Sequence, residues 1–288
     1  MTSRLLGWLA AASCLLLAAS ALAQTTTPYT PLQPIPVGDL LLTLPSSHIP
    51  AQGTGEIRFS HRFNQSIDQG HAFRSLFGLD SGANVGIGLS YVPFRDVQLA
   101  LLRTNTLETY ELSAKYVVTQ QARSLPFSTA VRAGADARTQ QGIDDRTSFF
   151  VQGIVSRQFG NRFDLYAVPT YITKAGRGTK GNRSAALFDH AFNVPVGALV
   201  QIRPGISIVA EVIPPNHDLP STLKADLGWS VGIKKAVGGH LFEILLTNSN
   251  GMTTDQYVTS TFNGAPFNSG DLRLGFNIER RFGRPARR

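Results

Sequence analysis

Along most of the chain, large apolar residues fall on every second position. From Glu56 to Phe282 this alternation recurs with little interruption, and no long 3.6-residue period appears between. The last run is the clearest: Leu272, Leu274, Phe276 and Ile278 alternate with Arg273, Gly275, Asn277 and Glu279, and Phe282 closes the row. Successive side chains of a strand point to opposite faces, so this run has one apolar and one polar side. Runs of the same kind begin at Ile57, Val85, Val97, Tyr110, Phe127, Phe149, Phe163, Phe192, Ile206, Leu227 and Phe242. Together they predict an all-β chain of about twelve strands, an even number, as single-chain transmembrane barrels have.

The connections fall into two alternating sets. Short turns are predicted at 93–96, 120–125, 160–162, 203–205 and 235–239, and longer polar loops at 64–83, 138–147, 174–188, 213–224 and 250–270, with only 104–106 brief on that side. An antiparallel up-and-down barrel with tight periplasmic turns and long outer loops has this alternation, with both termini on the periplasmic side. A soluble β-sandwich is the competing fold, but it has no reason to alternate its loop lengths so regularly. Phe63, Tyr91, Phe94, Phe127, Phe159, Phe163, Tyr171 and Phe282 lie near strand ends, where amphipathic rings would meet lipid headgroups.

Composition sets the compartment. Arg4, the apolar stretch Leu5 to Leu17 and the small-residue site Ala21-Leu22-Ala23 predict a signal peptide cleaved after Ala23. Cys14, the only cysteine, is the candidate for a lipid anchor, but Ala11 stands where a leucine is usual, and cleavage after Ala23 leaves a chain without thiols. Residues 24–52 hold six prolines among Thr, Gln and Ser and read as a periplasmic lead-in segment ahead of a barrel over 53–288. The formal net charge is +8, and its basic residues are scattered except at the tail, which excludes a nucleic-acid stripe. Mean hydropathy is −0.02, as expected when lipid-facing and lumen-facing residues alternate.

Four stretches, EIRFSHRF (56–63), FGLDSGANVGIG (77–88), GGHLFEILLTNSNGMT (238–253) and GDLRLGFNIERRF (270–282), resemble a family of bacterial outer-membrane β-barrel proteins that carries a domain-of-unknown-function label. The resemblance spans nearly the whole chain after the leader and implies fold and location, not activity. In one respect the chain departs from it: Phe282 is followed by GRPARR, where many such barrels end on an aromatic residue read by their assembly machinery.

Candidate chemistry is sparse. The histidines, His48, His61, His71, His190, His217 and His240, are dispersed without metal-ligand spacing, so neither metal nor cofactor is expected. His240 with Asn248 and Ser249 has the residue types of a surface lipid hydrolase, but eight or nine residues of extended strand hold base and nucleophile apart, and no enzyme is expected. Asp80, Gly82 and Asn84 read as a turn tying the first long loop to the wall. Charged residues expected to line the lumen are Arg58, Arg62, Glu111, Lys115, Arg132, Arg157, Asp164, Asp226, Glu243, Arg273 and Glu279, and Asn277 is expected there too, tolerant of a charge. Two functions are open on this reading: a narrow passive channel for small polar or anionic solutes, and a non-conducting structural or docking barrel. The expected partners are outer-membrane lipid, lipopolysaccharide and the barrel-assembly machinery, with a periplasmic protein possible through residues 24–52 and no nucleic acid.

Overall fold

A strand whose alternate side chains are apolar can bury neither face alone, and here the strands resolve this by closing on themselves. The computed structural model describes residues 38–67, 73–122, 125–142, 147–175, 188–215, 227–259 and 272–283. The predicted cleavage site, the first part of the lead-in segment, Asp226, His71, His217 and the tail lie outside the described residues. Fourteen β segments follow one another: β1 (Thr54–Phe63), β2 (Ala83–Phe94), β3 (Val97–Thr104), β4 (Thr109–Thr119), β5 (Ser128–Arg138), β6 (Thr147–Phe159), β7 (Phe163–Ala167), β8 (Thr170–Ala175), β9 (Phe188–Asn193), β10 (Val196–Arg203), β11 (Ile206–Ile213), β12 (Gly228–Val237), β13 (His240–Thr247) and β14 (Arg273–Gly283). One helical turn, α1 (Thr254–Thr259), lies between β13 and β14.

All pairings are antiparallel, β1 joins β14, and β5 joins β6, so the sheet is a ring without a free edge. Two wall strands are broken by proline: β7 runs into β8 at Pro169, and β9 into β10 at Pro195. Each break stays stitched, by Gly153 N–H to Pro169 O at 2.9 Å and Val168 N–H to Pro195 O at 2.8 Å. The fourteen segments therefore make twelve wall strands, the number the sequence predicts. At the end where the chain termini of the wall lie, reversals are tight; Gly205 (φ +76°) and Gly239 (φ +83°) adopt the left-handed conformation these turns require.

The faces are inverted relative to a water-soluble protein. Ile57, Leu89, Leu101 and Leu112 stand side by side across β1 to β4 and are 43 to 63% exposed. Arg58, Glu111, Lys115 and Arg132, on the opposite face, are at most 9% exposed. Charge inside and a continuous apolar belt outside is stable only if the belt meets hydrocarbon. Exposed aromatic rings flank the belt: Tyr91, Phe94, Phe159 and Phe282 at the short-turn end, Tyr110, Phe149, Tyr171 and Phe192 at the loop end. No helix among the described residues is long and apolar enough to cross a membrane.

Candidate functional site

The lumen is occupied from both ends, and what occupies it explains its charges. The first occupant is the stretch Gly38 to Pro50, which composition alone assigned to a periplasmic lead-in. Its residues 39–46 turn back on themselves: Leu41 N–H reaches Leu44 O at 2.8 Å and Ser46 N–H reaches Asp39 O at 3.0 Å. Leu41, Leu42 and Leu44 are fully buried, so this part of the segment is inside the barrel rather than outside it. Short apolar side chains without strand partners can be buried only where a cavity already awaits them, and the half-apolar inner wall supplies it: Leu199, Val209, Ile213 and Leu245 belong to the same core. Gly197 and Gly232 make room, since a Cβ at the first would collide with Leu41 Cδ1 and one at the second would come within 2.9 Å of Leu42 Cδ2.

The polar half of the wall grips the segment's main chain. Glu211 Oε1 accepts the N–H groups of Leu42, Thr43 and Leu44 at 2.8, 2.9 and 2.9 Å. Three consecutive amides converging on one anion form a nest, in which the backbone supplies the positive charge. Leu42 O in turn accepts from Arg58 at 2.5 Å, Asn277 at 3.2 Å and Arg62 at 3.5 Å. Lys234 Nζ donates to Leu40 O at 2.7 Å while pairing with Glu243 at 2.8 Å. Lys115 pairs with the Asp39 carboxylate and donates to Ser46 O and His48 O at 3.2 and 2.9 Å.

The second occupant is the start of the loop after β13. Asn248 is fastened to β12 through Trp229 N–H and Leu227 O, both at 2.7 Å. Past it the chain folds inward, so that every residue of α1 is buried. Arg132, itself paired with Glu111, donates to Thr254 Oγ1 at 3.0 Å; Asp136 Oδ2 accepts Asp255 N–H at 2.9 Å; Arg138 pairs with Asp255 at 2.8 Å. The loop expected to project over 250–270 thus begins as a second filling. A cavity of ≈ 70 Å³ remains between the fillings, lined by Arg58, Arg62, Glu111, Lys115 and Met252 among others. At roughly 10–15 Å³ per water centre it holds a few waters. A wider vestibule of ≈ 710 Å³ opens at the short-turn end beside His48, Gln121, Gln158 and Arg281.

Arg58, Arg62, Glu111, Lys115, Arg132, Asp164, Glu243, Arg273 and Glu279 are all buried on the inner face. Arg273 Nε donates to Asn64 O at 2.9 Å near the loop end, and Asp164 accepts from Tyr166 and faces His48 at 3.8 Å. Arg157 is a correction. It shares the outward register of Val155 and Phe159, and its guanidinium lies over the rings of Phe127 and Phe159 at 5.6 and 4.9 Å, where the apolar stem meets lipid-side aromatics. Asn84 is a second correction: it is a β2 residue pointing inward, donating to Asn250 O at 2.7 Å, while Asp80 stays in the exposed turn and Gly82 O accepts Asn64 N–H at 2.9 Å. Sequence reasoning missed Glu56, Asp136, Arg138, Glu211 and Lys234, all buried, although each occupies a lumen-side position of its own alternating run.

The His240–Ser249 pair does not assemble. His240 sits at the short-turn rim, 2.9 Å from Arg280, whereas Ser249 is buried past the far end of β13. Among the described residues no three His, Cys, Asp or Glu side chains are placed to hold a metal ion.

A closed ring of twelve strands, apolar outside and filled with ion-paired side chains inside, defines a membrane-spanning β-barrel with an occupied lumen. The chain belongs to the membrane bound beta barrel domain family DUF5777, whose model matches residues 38–282. Among solved structures it is similar to the NanC porin (7% identity, covering 80% of this chain and 99% of that one, TM-score 0.48). It is also similar to an outer membrane channel from Pseudomonas putida F1 (12%, 82% and 97%, 0.49) and to Omp33 from Acinetobacter baumannii (10%, 81% and 99%, 0.40). No curated protein matches the sequence.

Proposed function

We propose that the protein is an outer-membrane channel held shut by its own segment 38–50, which acts as a displaceable plug. The observation that carries this reading is the single Glu211 oxygen holding three successive plug amides. A barrel that only needed filling would be as stable or more stable with apolar residues there, because buried ions lose hydration that pairing repays only in part. Ions on a wall that periodically rehydrates carry no such lasting cost. The competing reading, a permanently filled structural barrel, is favoured by the second filling at α1.

Planar-bilayer recording separates the two. The full chain is expected to be closed most of the time. Glu211→Ala removes charge-assisted bonds worth about 1.5–3 kcal/mol each before non-additivity, so its open time should rise on the order of 100-fold. Gly197→Leu should open the channel as well, by occupying the space of Leu41, whose Cδ1 is the only atom a Cβ there would crowd below 3 Å. Both variants should keep the heat-dependent gel mobility of a closed ring. Conductance absent from both folded variants would establish the filled barrel instead.

A further inference from the structure

We infer that the lumen is a recognition site for short peptides with apolar side chains, and that the plug is a tethered member of that ligand class. The inference rests on the plug being displaceable. It starts from which atoms the wall holds. Glu211 takes three N–H groups, Arg58, Arg62 and Asn277 converge on one carbonyl, and Lys234 takes the carbonyl two residues earlier. These are groups every peptide has. One side chain of the segment is read by charge, Asp39 by Lys115, but Leu41, Leu42 and Leu44 lie in the apolar core, which discriminates weakly between aliphatic residues.

A small polar solute would not suit both halves of this lumen. Arg58, Lys234 and Glu211 would bind it, but Leu199, Val209, Ile213 and Leu245 would gain nothing from it. A fatty acid would satisfy the apolar half and one cation, leaving the Glu211 acceptor and its neighbours unpaired at a cost typical of buried charge. A peptide with apolar side chains answers both halves at once. Glu211 also has capacity to spare: its Oε2 is buried and has no hydrogen-bond partner among the described residues, so the plug leaves unused an acceptor that a ligand amide or hydroxyl could fill.

The probe is the acetylated, amidated hexapeptide DLLLTL, which reproduces residues 39–44, in labelled form. It is offered to the full chain in nanodiscs after Leu41→Asp, Leu42→Asp and Leu44→Asp have made the plug unfit for its apolar seat while leaving the wall intact. Binding is expected. It should weaken about tenfold or more when Glu211→Ala is added, and equally when the probe is N-methylated at the three amides that Glu211 accepts. Decanoate should not compete. Equal binding of the N-methylated probe, or full competition by decanoate, would overturn peptide recognition. Hydrogen exchange in the unsubstituted chain provides a second measurement that does not depend on the triple variant folding. Saturating probe should speed exchange at Leu42, Thr43 and Leu44 by displacing the plug, and unchanged exchange there would also overturn the inference. Conductance of the triple variant without peptide tests gating separately: an open channel that binds no probe refutes the peptide alone, and a silent barrel that binds it refutes the channel alone.

Discussion

Arg58→Met is expected to cost about 3–5 kcal/mol, the figure for breaking a buried ion pair by removing one partner. The side chain fits in volume, so the loss is electrostatic. Arg58 pairs with Glu279 and with Glu243 at 3.4 Å, and it also donates to Ser60 Oγ at 3.0 Å and Leu42 O at 2.5 Å. Glu243 keeps Lys234 and Asn277 after the change, so Glu279 is the carboxylate left stranded. Adding Glu279→Gln should therefore return a large part of the loss. The measurement is a urea titration of the folded fraction in vesicles, scored by the gel mobility that closed rings change only on heating. A single variant as stable as the parent would mean that this ion cluster does not hold the wall.

The second large effect is on the outside. Ile244 is 68% exposed, and its outward row continues through Ile233 on one side and Phe276 on the other. In lipid at mid-depth, Ile244→Arg should cost about 2–4 kcal/mol, and Leu246→Arg, one pair nearer the loop-end rim, about 0–1 if it reaches the interface. In water the order of cost would vanish, because exposed surface positions accept arginine readily. Equal stability of the two variants in vesicles would contradict a membrane-facing belt.

The outer face was legible because lipid enforces it at every second residue: Ile57, Leu89, Leu112 and Ile244 could be assigned from alternation alone. The same alternation places Arg157 with Val155 and Phe159, outside; assigning it inward treated its charge as stronger evidence than its register. Asn277 was legible as a lumen residue, but the expectation that it would accept arginine assumed water around it. It bonds Leu42 O, Glu243 and Arg62, and another guanidinium would face Arg58 and Arg62. What alternation could not show was the plug. Residues 38–50 pair with no strand; their only ladder contact is the isolated bridge Leu40↔Pro45. Two signals nevertheless existed. The run DLLLTL is too apolar to be left in water amid Pro and Ser, and strands such as AEVI and FEILL carry apolar residues on both faces, which a water-filled lumen does not call for.

The carbonyl of Leu42 also bears on the order in which the molecule comes together. Its donors arrive from β1 and β14, the first and last wall strands, and the Arg58–Glu279 pair beside it joins residues 221 apart in sequence. Contacts between such distant parts of a chain form late, because the loop entropy must be lost before they contribute. The ring's seam and one anchor of the plug are thus the same place, completed in the same slow step. A segment that leaves the ribosome before either strand gains its full hold only once the last one has arrived.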